Sequence, residues 1–171
     1  MAVASVSLAF CSVGIPTVRA NQPTEVTVKA AFVVSFLKFV EWPASAAGTP
    51  LVLLLIGDAP IADALKASTV GLQIGDRPVH YRRASSANRI SDAHAIFITS
   101  GEHQQLPAIL RQLERKNVLT IGDTEGFGAS GVVLNLVMQD TKVRVEANTA
   151  AAARAGLKVS AHLLRLARIV G

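Results

Sequence analysis

The chain has 171 residues, enough for one ordinary domain with its own core, and half of them are hydrophobic. Its formal charge of +5 is modest and scattered, and with one Trp, one Tyr and six Phe it carries nothing like the aromatic-interleaved basic stripe of a nucleic-acid binder. Beyond the N-terminus no uncharged apolar run reaches the roughly 18 residues of a membrane-spanning helix, so no span is expected there.

Met1 to Ala20 is a small-and-apolar stretch closed by Val18-Arg19-Ala20, the pattern of a signal-peptide core followed by a small-residue cleavage site. It lacks a basic start, and a disordered or core-packed segment is the alternative. Cleavage after Ala20 removes Arg19, taking the charge from +5 to +4. It also removes Cys11, the only cysteine, so no disulfide, cysteine-ligated metal or cysteine nucleophile is expected in the mature chain. Residues 21–171 show no repeat, linker or composition break and are expected to form a single domain.

Val26 to Trp42 keeps apolar residues at three-four spacing (Val28, Phe32, Phe36, Phe39/Val40), which predicts a helix stopped by Pro43. Its β-branched content leaves a strand as the alternative. Leu51 to Ile56 (LVLLLI) reads as a strand buried on both faces, as in a parallel sheet under helices. Pro60 to Ala67 fits a short helix, and Arg77 to Arg83 a partly exposed strand. Ala95 to Thr99 is a further buried strand, and Ser100 is a suitable cap for a helix with Glu102 in its first turn and Leu106, Ile109 and Leu113 on its apolar stripe.

Val118 to Ile121 is the next buried strand. A glycine-rich loop, Gly126 to Gly131, follows with Phe127 as its anchor. It matches neither a phosphate-binding loop nor a nucleophile elbow. Val132 to Met138 and Lys142 to Ala147 are close enough to demand an antiparallel hairpin, with Arg144 and Glu146 expected to face water. Asn148 or Thr149 caps a helix that Gly156 stops, and Ser160 caps a last helix carrying Leu163, Leu164, Ala167 and Val170 on one side. The predicted architecture is a three-layer α/β domain: a mostly parallel sheet of about six strands, an antiparallel edge hairpin, and helices on both faces.

In such sheets ligands bind beyond the carboxyl ends of the strands. Those ends carry Asp58, Ser100, Gly101 and Asp123, which are the candidate ligand-binding residues; cap and turn preferences account for the same residues without a ligand. Phe39 and Trp42 are the candidate partner-binding residues, since a Trp at a helix end can anchor an interface as well as close a core. His80, His94, His103 and His162 show no metal-ligand spacing and the carboxylates are scattered, so no catalytic group, metal site or cofactor is predicted.

Several segments, in order, resemble one known family: Lys29-Ala30-Ala31-Phe32 with Phe36 to Pro43, Leu55-Ile56-Gly57-Asp58, Ala95 to Ser100, Val118 to Asp123, Gly126 to Gly131, Val143 to Asn148, and Ala155 to Ser160 running on to Ala167. The set is similar to the YfiR family of small periplasmic proteins and covers nearly all of residues 25–170. The resemblance implies a periplasmic repressor that binds the periplasmic region of an inner-membrane diguanylate cyclase and holds cyclic-di-GMP, and with it biofilm formation, low. It also implies release through an outer-membrane lipoprotein, a homodimer, and no enzymatic activity. A periplasmic small-ligand-binding module is the alternative. Family members often carry a cysteine before the third buried strand; here Asp92-Ala93-His94 has alanine, so disulfide-based control does not carry over.

Overall fold

A computed structural model describes residues 24–42, 49–85, 90 and 92–171. The expected signal peptide and the stop at Pro43 lie outside the described residues. Helix α1 (Glu25–Lys38) is capped by Thr24, whose side chain accepts from the Thr27 amide, with Glu25 and Lys38 complementing the helix dipole at its two ends. It stops short of the expected end at Trp42. The Phe39 amide turns back to Phe36 O, and β1 (Val40–Glu41) pairs antiparallel with β9 (Lys158–Val159). Phe39, Val40 and Trp42 keep the helical spacing, so periodicity alone cannot reveal a strand whose partner lies near the other end of the chain.

Five strands run parallel in the order β4-β2-β5-β6-β7: β2 (Leu51–Ile56), β4 (Arg77–Ala84), β5 (Ala95–Ile98), β6 (Leu119–Gly122) and β7 (Leu134–Gln139). Strand β8 (Lys142–Ala147) returns antiparallel to β7 through Asp140 and Thr141, at φ 47° and 66°, the geometry a two-residue hairpin turn requires. These are the six strands and the edge hairpin predicted. Two short strands extend the sheet to eight: β3 (Gln73–Ile74), antiparallel to β4, and β10 (Arg168–Ile169), parallel to β8.

Alternation along the buried strands divides the core. Leu53, Leu55, Phe97, Ile121, Leu134 and Leu136 share one cluster with α1, with α2 (Ile61–Thr69), with α4 (Thr149–Arg154) and with α5 (Ala161–Leu166). Leu54, Ile56, Ile96 and Ile98 point the other way, onto Leu106, Ile109 and Leu113 of α3 (Leu106–Leu113) and onto Phe127. Phe127 is buried, as an anchor of the glycine-rich loop should be. Helices therefore cover both faces.

Two further boundaries and one side-chain orientation differ from expectation. Ser100 does not cap α3: residues Ser100–Glu102 form a separate 3₁₀ turn, and α3 begins at Leu106 with Pro107 in its first turn. Helix α5, capped by Ser160 as predicted, ends at Leu166. Arg168 and Ile169 extend instead because β8 offers them a free edge, and the Val170 amide donates to Ala147 O. Finally, Glu146 is buried rather than facing water. Its register partner on β7 is Asn135 and its register partner on β10 is Arg168; Asn135 Nδ2 donates to Glu146 Oε2 at 2.9 Å, and Arg168 pairs with Oε1.

Candidate functional site

The two groups of candidate residues sit at opposite ends of the sheet. Helix α1 links them. At its start Lys29 reaches Asp123, which follows the carboxyl end of β6, at 3.2 Å; beyond its end, Trp42 lies against His94, which precedes the amino end of β5.

At the carboxyl end the structure does not gather Asp58, Ser100, Gly101 and Asp123 around one cavity. Asp58 lines a cleft of about 450 Å³ with Arg83 and Glu102, and Arg83 Nη2 bonds Asp58 Oδ1 at 2.8 Å. Asp123 borders a separate groove of about 570 Å³ with Arg144, Glu146, Leu166 and Arg168. Ser100 and Gly101 form the 3₁₀ turn and line neither. Asp123 is engaged in the fold. Lys29 is buried and bonds both Glu25 (2.8 Å) and Asp123. Burial alone lowers the Lys29 pKa, but the bond to Glu25 and the Asp123 charge outweigh it and hold the ammonium above its ordinary value.

Sequence reading misses the residue that closes this end. Glu102 looks like an exposed acid complementing a helix start, yet it is buried, as is Thr99 beside it. Among the described residues Glu102 Oε2 and Thr99 Oγ1 find no hydrogen-bond partner. Both residues crowd Gly57, at φ +88°, where a Cβ would collide with Thr99 Oγ1 and lie 3.0 Å from Glu102 Oε1. The available signal is Gly57 itself, a glycine at a strand end facing a polar turn on the neighbouring strand.

At the amino end, Phe39 and Trp42 are half-buried. The Phe39 ring stacks at 5.6 Å on His162 of α5, and its carbonyl accepts from the Ser160 amide at 2.8 Å. Trp42 Nε1 donates to Leu37 O at 3.2 Å. Its ring meets His94 at 6.4 Å and 79°, an edge-to-face contact. The His94 imidazole sits between the Val52 amide, 3.2 Å from Nδ1, and Arg77 Nη2, 3.0 Å from Nε2. A neutral ring offers one acceptor nitrogen and an imidazolium none, so protonation loses the bond and faces the guanidinium. Burial first, and the Arg77 charge second, push the His94 pKa below its ordinary value.

A depressed folded-state pKa makes the neutral ring part of the native state. This contribution is complete above the unfolded value of about 6.5 and is lost as pH falls from there through the folded value. Urea unfolding between pH 7.5 and 5 should therefore show stability falling with pH, and His94→Gln should flatten that slope. An equal slope in the variant would remove His94 as the cause.

A family model described as DUF4154: YfiR/HmsC-like matches residues 26–168. The chain belongs to the YfiR/HmsC-like family. The match takes in both ends of the sheet, from α1 to β10. In this YfiR/HmsC-like chain Ala93 is buried against the α3 layer. No curated protein matches the sequence. Among solved structures, an ABC domain in complex with L-Trp from Streptococcus pneumonia is 10% identical with a TM-score of 0.57, covering 81% of this chain and 59% of that one. A conserved domain protein from Vibrio cholerae is 10% identical with a TM-score of 0.62, covering 86% and 60%. The chain thus spans about three fifths of each, and the likeness is one of fold: both superpose on the mostly parallel α/β sheet. Among the described residues no helix is long and apolar enough to cross a membrane, and no group of three or more His, Cys, Asp or Glu is placed to hold a metal.

Proposed function

We propose that this YfiR/HmsC-like chain is a periplasmic regulatory binding protein, not an enzyme, that represses a membrane diguanylate cyclase. In doing so it would hold down cyclic-di-GMP signalling and biofilm formation. Family membership over residues 26–168 carries the reading. The cyclase's periplasmic region is the proposed partner, with an outer-membrane lipoprotein relieving the repression and a homodimer as the working form. The surface proposed to meet the cyclase is the corner built by β1 and β9, outside the main sheet, where Phe39 stacks on His162 and Trp42, just after β1, packs on His94. Half-buried aromatics of this kind, held rigid by backbone bonds, are the side chains that dominate interface energies.

The test is genetic and biochemical together. Deleting the gene should raise cyclic-di-GMP, and the purified protein should retain the cyclase's periplasmic region. Phe39→Ala should weaken that complex by about 2 kcal/mol, roughly 30-fold in Kd. Unchanged cyclic-di-GMP in the deletion strain would remove the cyclase from the proposal. Unchanged affinity in a folded Phe39→Ala protein would move the interface elsewhere.

A further inference from the structure

We propose that His94 is a pH-sensitive latch for Trp42: the neutral imidazole keeps the indole seated at the amino end of the sheet, and its protonation releases it. The corner formed by β1 and β9 is then rigid in neutral solution and loosened in mild acid. This is the corner proposed above to meet the cyclase, and the effect of the latch on that complex rests on that reading.

The seat is built from groups that only a neutral ring can join. His94 Nδ1 lies 3.2 Å from the Val52 amide and Nε2 lies 3.0 Å from Arg77 Nη2. Both neighbours are donors, so the ring is called on to accept from two sides. The backbone pins it between them: the His94 amide donates to Val52 O at 3.0 Å, and the Leu119 amide donates to His94 O at 2.8 Å. Neither neighbour is free to retreat. Val52 belongs to β2, inside the sheet. Arg77 is buried and tied to two carbonyls, Thr49 O at 2.7 Å and Pro50 O at 3.5 Å.

Among the described residues no acid is placed to hold an imidazolium there. Arg77, on β4, is the charged group that acts on the ring, and it pairs with no carboxylate. Asp92, two residues before His94, faces Arg82 at 3.8 Å. Glu41 of β1 is exposed and lies in register with Lys158 of β9. Strand β2 brings only aliphatic side chains. The indole meets the imidazole edge to face at 6.4 Å and 79°, beyond the roughly 6 Å at which a cation–π contact operates. A proton on His94 thus removes the acceptor at Nδ1 and sets a second positive charge beside a buried first one. Burial and then the Arg77 charge depress the pKa of the seated ring. As pH falls from the ordinary value of about 6.5 through the lowered one, the proton therefore favours the ring outside its seat.

Trp42 depends on that seat. The indole lies at the margin of the core with one hydrogen bond, from Nε1 to Leu37 O, and with His94 against its ring. The corner itself is two residue pairs of strand and the bond from the Ser160 amide to Phe39 O. An element held by so few bonds opens at a fraction of the global unfolding free energy.

The chain has a single Trp, so its fluorescence reads the latch. Emission of the full protein, followed from pH 7.5 to 5, should move to the red in one step with a midpoint below about 6.5, and the His94 ring should titrate by NMR at the same midpoint. His94→Asn keeps an acceptor near the Nδ1 position and cannot titrate, so its emission should stay constant. His162→Asn, whose parent ring stacks on Phe39 at the same corner, should keep the wild-type step. Kd for the cyclase's periplasmic region should rise over this range by at least about threefold, and by at most about tenfold per pH unit, the limit for one proton. In His94→Asn it should not change. Constant wild-type emission, a step that survives in His94→Asn, or a step lost in His162→Asn overturns the latch. An emission step with a pH-independent Kd overturns its role in binding. A complex that forms at neither pH overturns the cyclase reading alone, and the emission still decides the latch.

Discussion

Phe97→Ala should lower the unfolding free energy by about 3–5 kcal/mol, the cost of deleting a large ring from a core that cannot collapse around the gap. Phe97 is fully buried at the middle of β5, flanked in register by Leu55 on β2 and Ile121 on β6. Its ring enters the cluster that α1 and α2 close, where Phe36, Leu37 and Leu65 are also sealed from water. Every neighbour is held by the sheet or by a helix, so relaxation is limited and the cavity term stays. With a total stability typically of about 5–15 kcal/mol, the variant would be marginal. Urea unfolding followed by circular dichroism measures the effect as a fall in midpoint at constant slope. A loss below about 1 kcal/mol would mean that the ring is not close-packed.

Gly57→Val should cost about 3–5 kcal/mol, from a β-branched residue forced to positive φ together with a collision in a closed space. The backbone at Gly57 is tied down on both sides of the turn. Its amide donates to Ala84 O at 3.1 Å, while the Thr99 amide donates to Ile56 O at 3.3 Å. It can neither swing to negative φ nor back away from Thr99. Gly75 separates the two contributions: it has φ +62°, but a Cβ added there would meet nothing within 4 Å, so Gly75→Ala should show the backbone strain alone, about 1 kcal/mol. If the two substitutions cost the same, the packing of Thr99 and Glu102 against Gly57 contributes nothing.

The long buried strands are legible in the sequence because their composition is unambiguous: LVLLLI and AIFI have apolar residues on both faces, which only a helix-covered sheet accommodates. Caps are legible where the local chemistry is self-contained, as at Asn148, which accepts from the Ala151 amide, and Ser160, which accepts from that of Leu163. The two-residue strands β1, β3, β9 and β10 are not, since each exists only because a distant segment offers its hydrogen bonds. The same limit hides Glu146. Strand alternation correctly places it on the face opposite Val145, but the face is covered there by Asn135, Arg168 and the Gly128 turn, where a Cβ on Gly128 would lie 2.8 Å from Glu146 Oε2. At the carboxyl end, Asp58 can be read from its place after a strand. Glu102 cannot, because an acid in the first turn of a helix ordinarily points to solvent, and only the 3₁₀ turn directs this one inward.

The order of the strands also shapes how the chain assembles. Strand β2 lies inside the sheet, yet its neighbour β4 is made some twenty residues later and β5 some forty, after an excursion to the sheet's other side. Until both arrive, six consecutive aliphatic residues wait with unsatisfied edges, the composition most prone to pair with another copy of itself. Folding of this domain therefore sets a long-range closure against self-association of Leu51–Ile56.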